Sequence, residues 1–217
     1  MPFVFDDMDT ITAIETQKRR SNRMSIYVNG RFAAGVDEEV VAALGLCVGQ
    51  RIDENRLAQM LRAETVRRAR QVALNLLSFR PRTRNELSRR LILKGYPEDV
   101  TDEVLAALAG AGLVNDEQFT KDWVADRLQS KPMGSVRIAW ELRQKGVAQE
   151  VVQQALESID SETEYELALG LARKRLQRLG VEASDEERRR LASFLRRRGF
   201  SWDVTNRVID ELAPADG

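Results

Sequence analysis

Leu87–Leu108 reads LSRRLILKGYPEDVTDEVLAAL and places Leu87, Leu91, the pair Lys94-Gly95, Val100, Val104, Leu105 and Leu108 at fixed intervals. The same unit returns as Ile138, Leu142, Lys145-Gly146, Val151, Ala155, Leu156 and Ile159. It returns again as Leu191, Leu195, Arg198-Gly199, Val204, Val208, Ile209 and Leu212. From Leu87 the first return is 51 residues on and the second a further 53, with no change of spacing inside the unit. A pattern held in three copies, with glycine in register, is an internal repeat, and a repeat governs the whole fold.

Physically, each unit is two helices joined at a glycine. Apolar residues four apart before the glycine share one helix face. The glycine stands where a helix end needs a left-handed residue, and the Lys or Arg before it suits the negative helix end. The apolar residues beyond it form the buried stripe of a second helix. A third helix precedes each pair. Leu77-Ser78-Phe79-Arg80-Pro81 matches Leu128-Gln129-Ser130-Lys131-Pro132, and proline ends each first helix because its predecessor is pushed out of α geometry. In the last copy Leu176-Gln177-Arg178 begins the same way but meets Gly180 and an insertion of a few residues. Thr83 with Glu86, and Ser184 with Glu187, have the spacing of capping boxes, while Gly134-Ser135 starts the middle copy's second helix.

Ahead of the repeats the period changes to two. ITAIETQK alternates from Ile11, RRSNR breaks the pattern, MSIYV resumes it, and Asn29-Gly30 is a strong hairpin signal before RFAAGV. Strands are expected near 11–18, 24–28 and 31–35, as a small antiparallel meander after a loose acidic tail over residues 1–10. Lys18, Arg19, Arg20, Arg23 and Arg31 either guard the strand edges or form a contact surface. DEEVVAALGL (37–46) reads as a short helix and VGQRI as a turn. Asp53 caps a helix over DENRLAQMLRAE, and a further helix, Glu64 to Phe79, opens the first repeat. The expected domains are 1–65, a β-hairpin with short helices; 66–114, 115–159 and 160–217, three three-helix repeats, the last ending in an APADG tail. Asp160-Ser161-Glu162 is the expected flexible joint between the second and third repeats. The fold class is mainly α, with three tandem three-helix repeats in an elongated curved array and a small N-terminal antiparallel meander.

Composition limits the chemistry. Charged residues make up 31% and aromatics 6% of 217 residues, which suits a well-solvated helical protein, and the formal net charge is zero, so there is no global basic field. Histidine is absent, which removes Ser-His-Asp and Cys-His catalysis and most zinc sites. No Gly-rich nucleotide loop occurs, and Gly45, Cys47 and Gly49 do not make one. No cofactor or metal is expected, and no catalysis. Cys47, the single cysteine, fits a reducing compartment. No apolar run approaches the ~18–20 residues of a membrane span and no signal peptide is evident, so a cytoplasmic protein is expected.

The charges are nevertheless banded. Arg80, Arg82, Arg84, Arg89, Arg90 and Lys94 crowd the second helix of the first copy; Lys131, Arg137, Arg143 and Lys145 that of the second; Arg188, Arg189, Arg190, Arg196, Arg197 and Arg198 that of the third. Glu98, Asp99, Asp102 and Glu103 make the neighbouring helix of the first copy acidic. Such bands are either solvated faces with intrachain pairs or a strip for phosphates or an acidic partner. Phe119 and Trp123, four apart, read as core, and Trp202 beside a capping Ser201 reads as partly exposed.

The segments LSFRPRTRNELSRRLILKGY, NDEQFTKDWVADRL and LRQKGV followed by EVVQQAL, with SIYVNGRFAAGV and VGQRID ahead of them, resemble the RecX family of bacterial regulators of the RecA recombinase. The resemblance covers about Ile11 to Leu212 and is weakest in the third copy. It implies a non-enzymatic protein, expected to be monomeric, that binds the groove of the RecA–DNA filament and suppresses ATP hydrolysis, strand exchange and the coprotease step of the SOS response. Weaker binding to single- or double-stranded DNA alone is also implied. The family supplies no residue list here. The candidate contacts, read from charge alone, are Arg80, Arg82, Arg84, Arg89, Arg90, Lys94, Lys131, Arg137, Arg143, Lys145, Arg189, Arg196, Arg197 and Arg198. A helical-repeat DNA-binding or architectural protein is the alternative, since three-helix units also serve as helix-turn-helix readers.

Overall fold

The computed structural model describes residues 9–17, 20–181 and 183–213. Lys18, Arg19, the acidic stretch before Asp9 and the terminal PADG lie outside the described residues. Three strands lead the chain: β1 (Asp9–Gln17), β2 (Arg20–Val28) and β3 (Arg31–Asp37). They form the expected antiparallel meander, and the Asn29-Gly30 turn takes φ of 49° and 78°, the left-handed pair that a tight hairpin needs. Strand β2 takes in Arg20 to Arg23 of the RRSNR interruption, so an unfavourable local pattern yields to pairing on both sides. The sheet also has a fourth strand, β4 (Arg51–Ile52), in the order β3-β2-β1-β4. It corrects two expectations at once. VGQRI is not only a turn, and Asp9 and Thr10 are not tail, because Asp9 pairs with Ile52 and Thr10 with Arg51. Two residues are too few to show a period of two.

Helix α1 (Glu38–Leu44) follows the meander, and α2 (Glu54–Phe79) follows β4. Asp53 caps α2 by accepting from Arg56 N at 2.8 Å. The two helices expected on either side of Glu64 are one helix of 26 residues, since nothing between Asp53 and Pro81 breaks it. The remaining helices are α3 (Arg84–Leu93), α4 (Glu98–Gly110), α5 (Asp116–Gln129), α6 (Ser135–Gln144), α7 (Gln149–Leu156), α8 (Ser161–Leu179), α9 (Asp185–Arg197) and α10 (Trp202–Glu211). Together they make three tandem three-helix modules, α2–α4, α5–α7 and α8–α10, behind a small antiparallel sheet. The repeat's own leucines carry the burial. Leu87, Leu91, Leu105, Leu108, Ile138, Leu142 and Leu195 are fully buried and Leu191 nearly so, each side chain stabilising the fold by about 1.5–3 kcal/mol.

The chain divides into two compact units, the first of Met1–Ser78 with Arg90–Ala107 and the second of Phe79–Arg89 with Leu108–Gly217. In the first unit Ile11, Ile26, Val28, Val40, Leu46, Ile52, Leu57 and Leu61 make one apolar core between the sheet and α1 and α2. Arg62 of α2 holds Asp99 and Glu103 of α4, so part of the acidic band is spent within the unit. The second unit has two cores, one centred on Phe119, Ile138, Leu142 and Val152, the other on Ala168, Ala172, Leu191, Leu195 and Val208. Asp160 opens the stretch expected as a joint between the second and third repeats. It is the N-cap of α8, accepting from Thr163 N at 2.6 Å, and that bond holds its carboxyl below the usual range.

Candidate functional site

Each second helix ends at a glycine of positive φ: 89° at Gly95, 75° at Gly146 and 86° at Gly199. All three ends are the same Schellman turn. The glycine N–H reaches the carbonyl three residues back at 2.9 Å, and the next N–H reaches the carbonyl five back at 3.2 Å, in every copy. The basic residue before each glycine therefore occupies one fixed position beside a helix C-terminus.

In the second unit these corners receive the start of the preceding module's second helix. Thr83, the N-cap of α3, donates its hydroxyl to Lys145 O at 2.6 Å, and Asn85 lies against Gly146. Asp116, at the start of α5, accepts from Arg84 N at 2.8 Å, so a carboxylate covers the positive end of α3. One turn inside, Glu86 closes the capping box, with Glu86 N on Thr83 Oγ1 at 3.1 Å. Its carboxylate holds Lys145 Nζ at 3.0 Å and the fork of Arg80 at 3.1 and 3.2 Å. Burial pushes the Glu86 carboxyl up, but the hydrogen bonds and charges of Arg80 and Lys145 outweigh it and hold the group below its ordinary value.

The second joint repeats the geometry with different chemistry. Gly134 N donates to Arg198 O at 3.1 Å and Val136 N to Gly199 O at 3.2 Å. Gly134 has no side chain to cap α6, and Glu164 of α8 supplies the acceptor, taking Ser135 N at 2.8 Å and Ser135 Oγ at 3.0 Å. Ser184 caps α9 locally, accepting from Glu187 N at 3.4 Å.

The candidate cations now separate by use. Arg80 and Lys145 share Glu86, and Lys145 also lies 4.3 Å over the Trp123 ring, which is stacked on the buried Phe119. Arg137 covers Trp140 at 4.3 Å and approaches Glu141 at 3.6 Å; Arg143 donates to Gln149 at 2.8 Å. Arg82 and Arg84 are half-buried and engaged within the fold. Arg196 lies 5.0 Å over Trp202, which is 61% exposed as its position after Ser201 suggests, and Arg198 lies 5.5 Å over Phe194. Arg89, Arg90, Lys94, Lys131, Arg189 and Arg197 are exposed and have no ion-pair partner among the described residues. On α9, Arg189, Arg190 and Arg197 surround a shallow depression with Arg175 of α8. Sequence reasoning missed Asp116 and Glu164, which cap helices of the preceding module, and Glu141, which holds Arg127 and Arg137. Only Glu86 left a local signal, its capping-box spacing. Among the described residues no group of three or more His, Cys, Asp or Glu is placed to hold a metal, and no helix is long and apolar enough to cross a membrane.

The architecture has known counterparts. Residues 9–53 match the model of the regulatory protein RecX N-terminal domain, and residues 69–108, 115–156 and 162–209 match those of the first, second and third RecX three-helix domains. The chain belongs to the RecX family. A regulatory protein RecX of Clostridioides difficile (strain 630) is 31% identical over 209 residues, spanning 96% of this chain and 98% of its own. One from Amycolatopsis mediterranei (strain U-32) is 37% identical over 154 residues, spanning 71% of this chain and 88% of its own. Among solved structures, a crystal structure of regulatory protein RecX superposes with a TM-score of 0.66 at 29% identity, covering 93% of this chain and 99% of that one. RecX from Lactobacillus salivarius gives 0.64 at 26%, covering 69% and 97%. The RecX models describe a regulatory family, and the three-helix modules seen here are the family's own units.

Proposed function

We propose that this chain is a non-enzymatic regulator that binds the RecA–DNA filament and inhibits its ATPase, strand exchange and coprotease activities. The observation that carries the reading is the set of exposed cations with no ion-pair partner among the described residues, Arg89, Arg90, Lys131, Arg189 and Arg197, placed on or beside the second helix of consecutive modules in a RecX chain. Lys145, committed to Glu86, joins two modules, and the cations committed to Glu141 brace the second module internally. Those left over are available to phosphates or to a partner's carboxylates. Several modules acting at once raise avidity through effective concentration, without any single strong contact. A bridged pair of filament subunits is then hindered from rearranging, which suppresses hydrolysis and exchange together.

The test is a titration of the full chain against bare single- and double-stranded DNA and against RecA–DNA filaments, across salt, with RecA's ATPase followed in parallel. Preference for filaments with loss of ATPase is the expected result. Equal affinity for DNA and filaments, a steep salt dependence and an unchanged ATPase would replace this reading with that of a DNA-binding or architectural protein.

A further inference from the structure

The Lys94-Gly95 corner of the first module has surroundings unlike those of its two sisters. A Cβ added at Gly146 or Gly199 would meet Asn85 at 2.3 Å or Arg137 at 2.2 Å, whereas one added at Gly95 would meet nothing within 4 Å. Within the first unit this corner borders a cavity of about 140 Å³ lined by Arg23, Asp37, Arg68, Lys94, Gly95 and Tyr96, among others. We propose that this cavity binds a phosphate-sized oxyanion, held by Arg23, Arg68 and Lys94.

Three observations support the assignment. First, three cations line the cavity against one carboxylate, Asp37, while Glu39 is already engaged with Arg68 Nη2. Second, Arg68 Nη1 is buried and has no hydrogen-bond partner, although a buried guanidinium N–H without an acceptor is costly. Arg23 spends Nη2 on Gly35 O at 3.0 Å, and burial pushes the Tyr96 phenol up, which keeps it protonated and able to donate. Third, the second module shows what the corner position takes. Lys145, the counterpart of Lys94, holds the Glu86 carboxylate at 3.0 Å while Arg80 grips the same group. The second module thus shows a lysine at this position sharing one oxyanion with an arginine, the carboxylate there being supplied from within the chain. The third module does not follow, because Arg137 stands where Glu86 would and the joint is held by backbone bonds. A dianion fits three donors and a net positive lining better than a single carboxylate does, and the volume admits one phosphate group but not a nucleotide.

The proposal does not depend on the filament reading, and its test uses no filament. The full chain is titrated calorimetrically with sodium phosphate, with sodium chloride and sodium acetate of equal ionic strength as controls, and its thermal midpoint is followed over the same series. Saturable phosphate binding with a rising midpoint is expected. Lys94→Gln, at an exposed position, should weaken binding about ten- to a hundred-fold, and Arg68→Gln at least as much. Should Arg68→Gln fail to fold, the Lys94 variant decides alone. A short oligonucleotide with and without a 5′-phosphate separates the sources. A gain from the 5′-phosphate that Lys94→Gln abolishes assigns the site to a strand end, and no gain assigns it to the free ion. No saturable binding, an equal response to chloride or acetate, or full binding by Lys94→Gln would overturn the proposal.

Discussion

A series of glycine substitutions separates backbone strain from module packing, because the three copies repeat one turn in different surroundings. Gly95→Ala meets no atom within 4 Å, so its cost is the left-handed φ of 89° alone. That cost is about 1–2 kcal/mol, less about 0.4–1 kcal/mol for the reduced freedom of the unfolded chain, leaving a net loss near ~1 kcal/mol. Gly134→Ala is the converse. Its backbone, at φ −75° and ψ 160°, suits any residue, but the new Cβ falls 2.2 Å from Gly199 O and 2.3 Å from Phe200 N. These are backbone atoms, so relief requires opening the joint and weakening the bonds from Gly134 N to Arg198 O and from Val136 N to Gly199 O. Overpacking at about 1–3 kcal/mol, with two hydrogen bonds of about 1 kcal/mol each weakened rather than lost, puts the loss at about 3 kcal/mol. Gly199→Ala suffers both effects, with φ at 86° and Arg137 Cβ and N at 2.2 and 2.4 Å, and should lose about 4 kcal/mol. The assay is urea unfolding. Trp123, Trp140 and Trp202 all belong to the second unit, so tryptophan fluorescence reports the joint, while far-ultraviolet circular dichroism follows Gly95→Ala. At a slope of ~2 kcal/mol per M, Gly134→Ala should lower the fluorescence midpoint by about 1.5 M. A Gly134→Ala midpoint equal to that of the wild type, or a Gly95→Ala loss equal to that of Gly199→Ala, would refute the packing argument.

Two further outcomes follow from the charges. The Glu86 carboxyl is held below its unfolded value of 4.5, so the folded state binds fewer protons than the unfolded state as pH falls past that value; the stabilisation is complete above it and is lost as pH drops through the folded pKa. Glu86→Gln should therefore cost about 1–3 kcal/mol at neutral pH, with the gap to the wild type narrowing below about pH 4.5, as urea unfolding over a pH series will measure; a gap that does not change with pH would remove the carboxylate from the joint. On the exposed face of α3, Arg89→Glu with Arg90→Glu should weaken inhibition of RecA's ATPase while leaving stability within about 0.5 kcal/mol. Inhibition that survives at wild-type strength would reduce this face to a solvated one.

Much of the fold was legible because a helix or strand writes its own burial into its own period. The leucines of Leu87–Leu108, the three corner glycines and the caps at Thr83, Ser184 and Ser201 act within one or two turns of chain, and local spacing records them. Strand β4 was not legible, because two residues carry no period and Arg51–Ile52 is a strand only through pairing with Asp9 and Thr10. The unbroken course of α2 was missed for a related reason: a change of buried face near Glu64 resembles a boundary when no breaker marks its absence.

The candidate site divides along the same line. By itself the sequence determined that three like modules exist, where each turns, and that cations crowd each second helix. It did not determine which cations are free. Lys145 and Lys94 occupy the same position of the repeat, yet one is tied to Glu86 across 59 residues of chain and the other lines a cavity with Arg68. Asp116 and Glu164 cap helices that begin 32 and 29 residues before them. An ion pair or a cap supplied from another module depends on where two surfaces come together, and charge alone does not encode its partner. Only tertiary packing sorted the arginines and lysines into those that join modules and those left for something outside the chain.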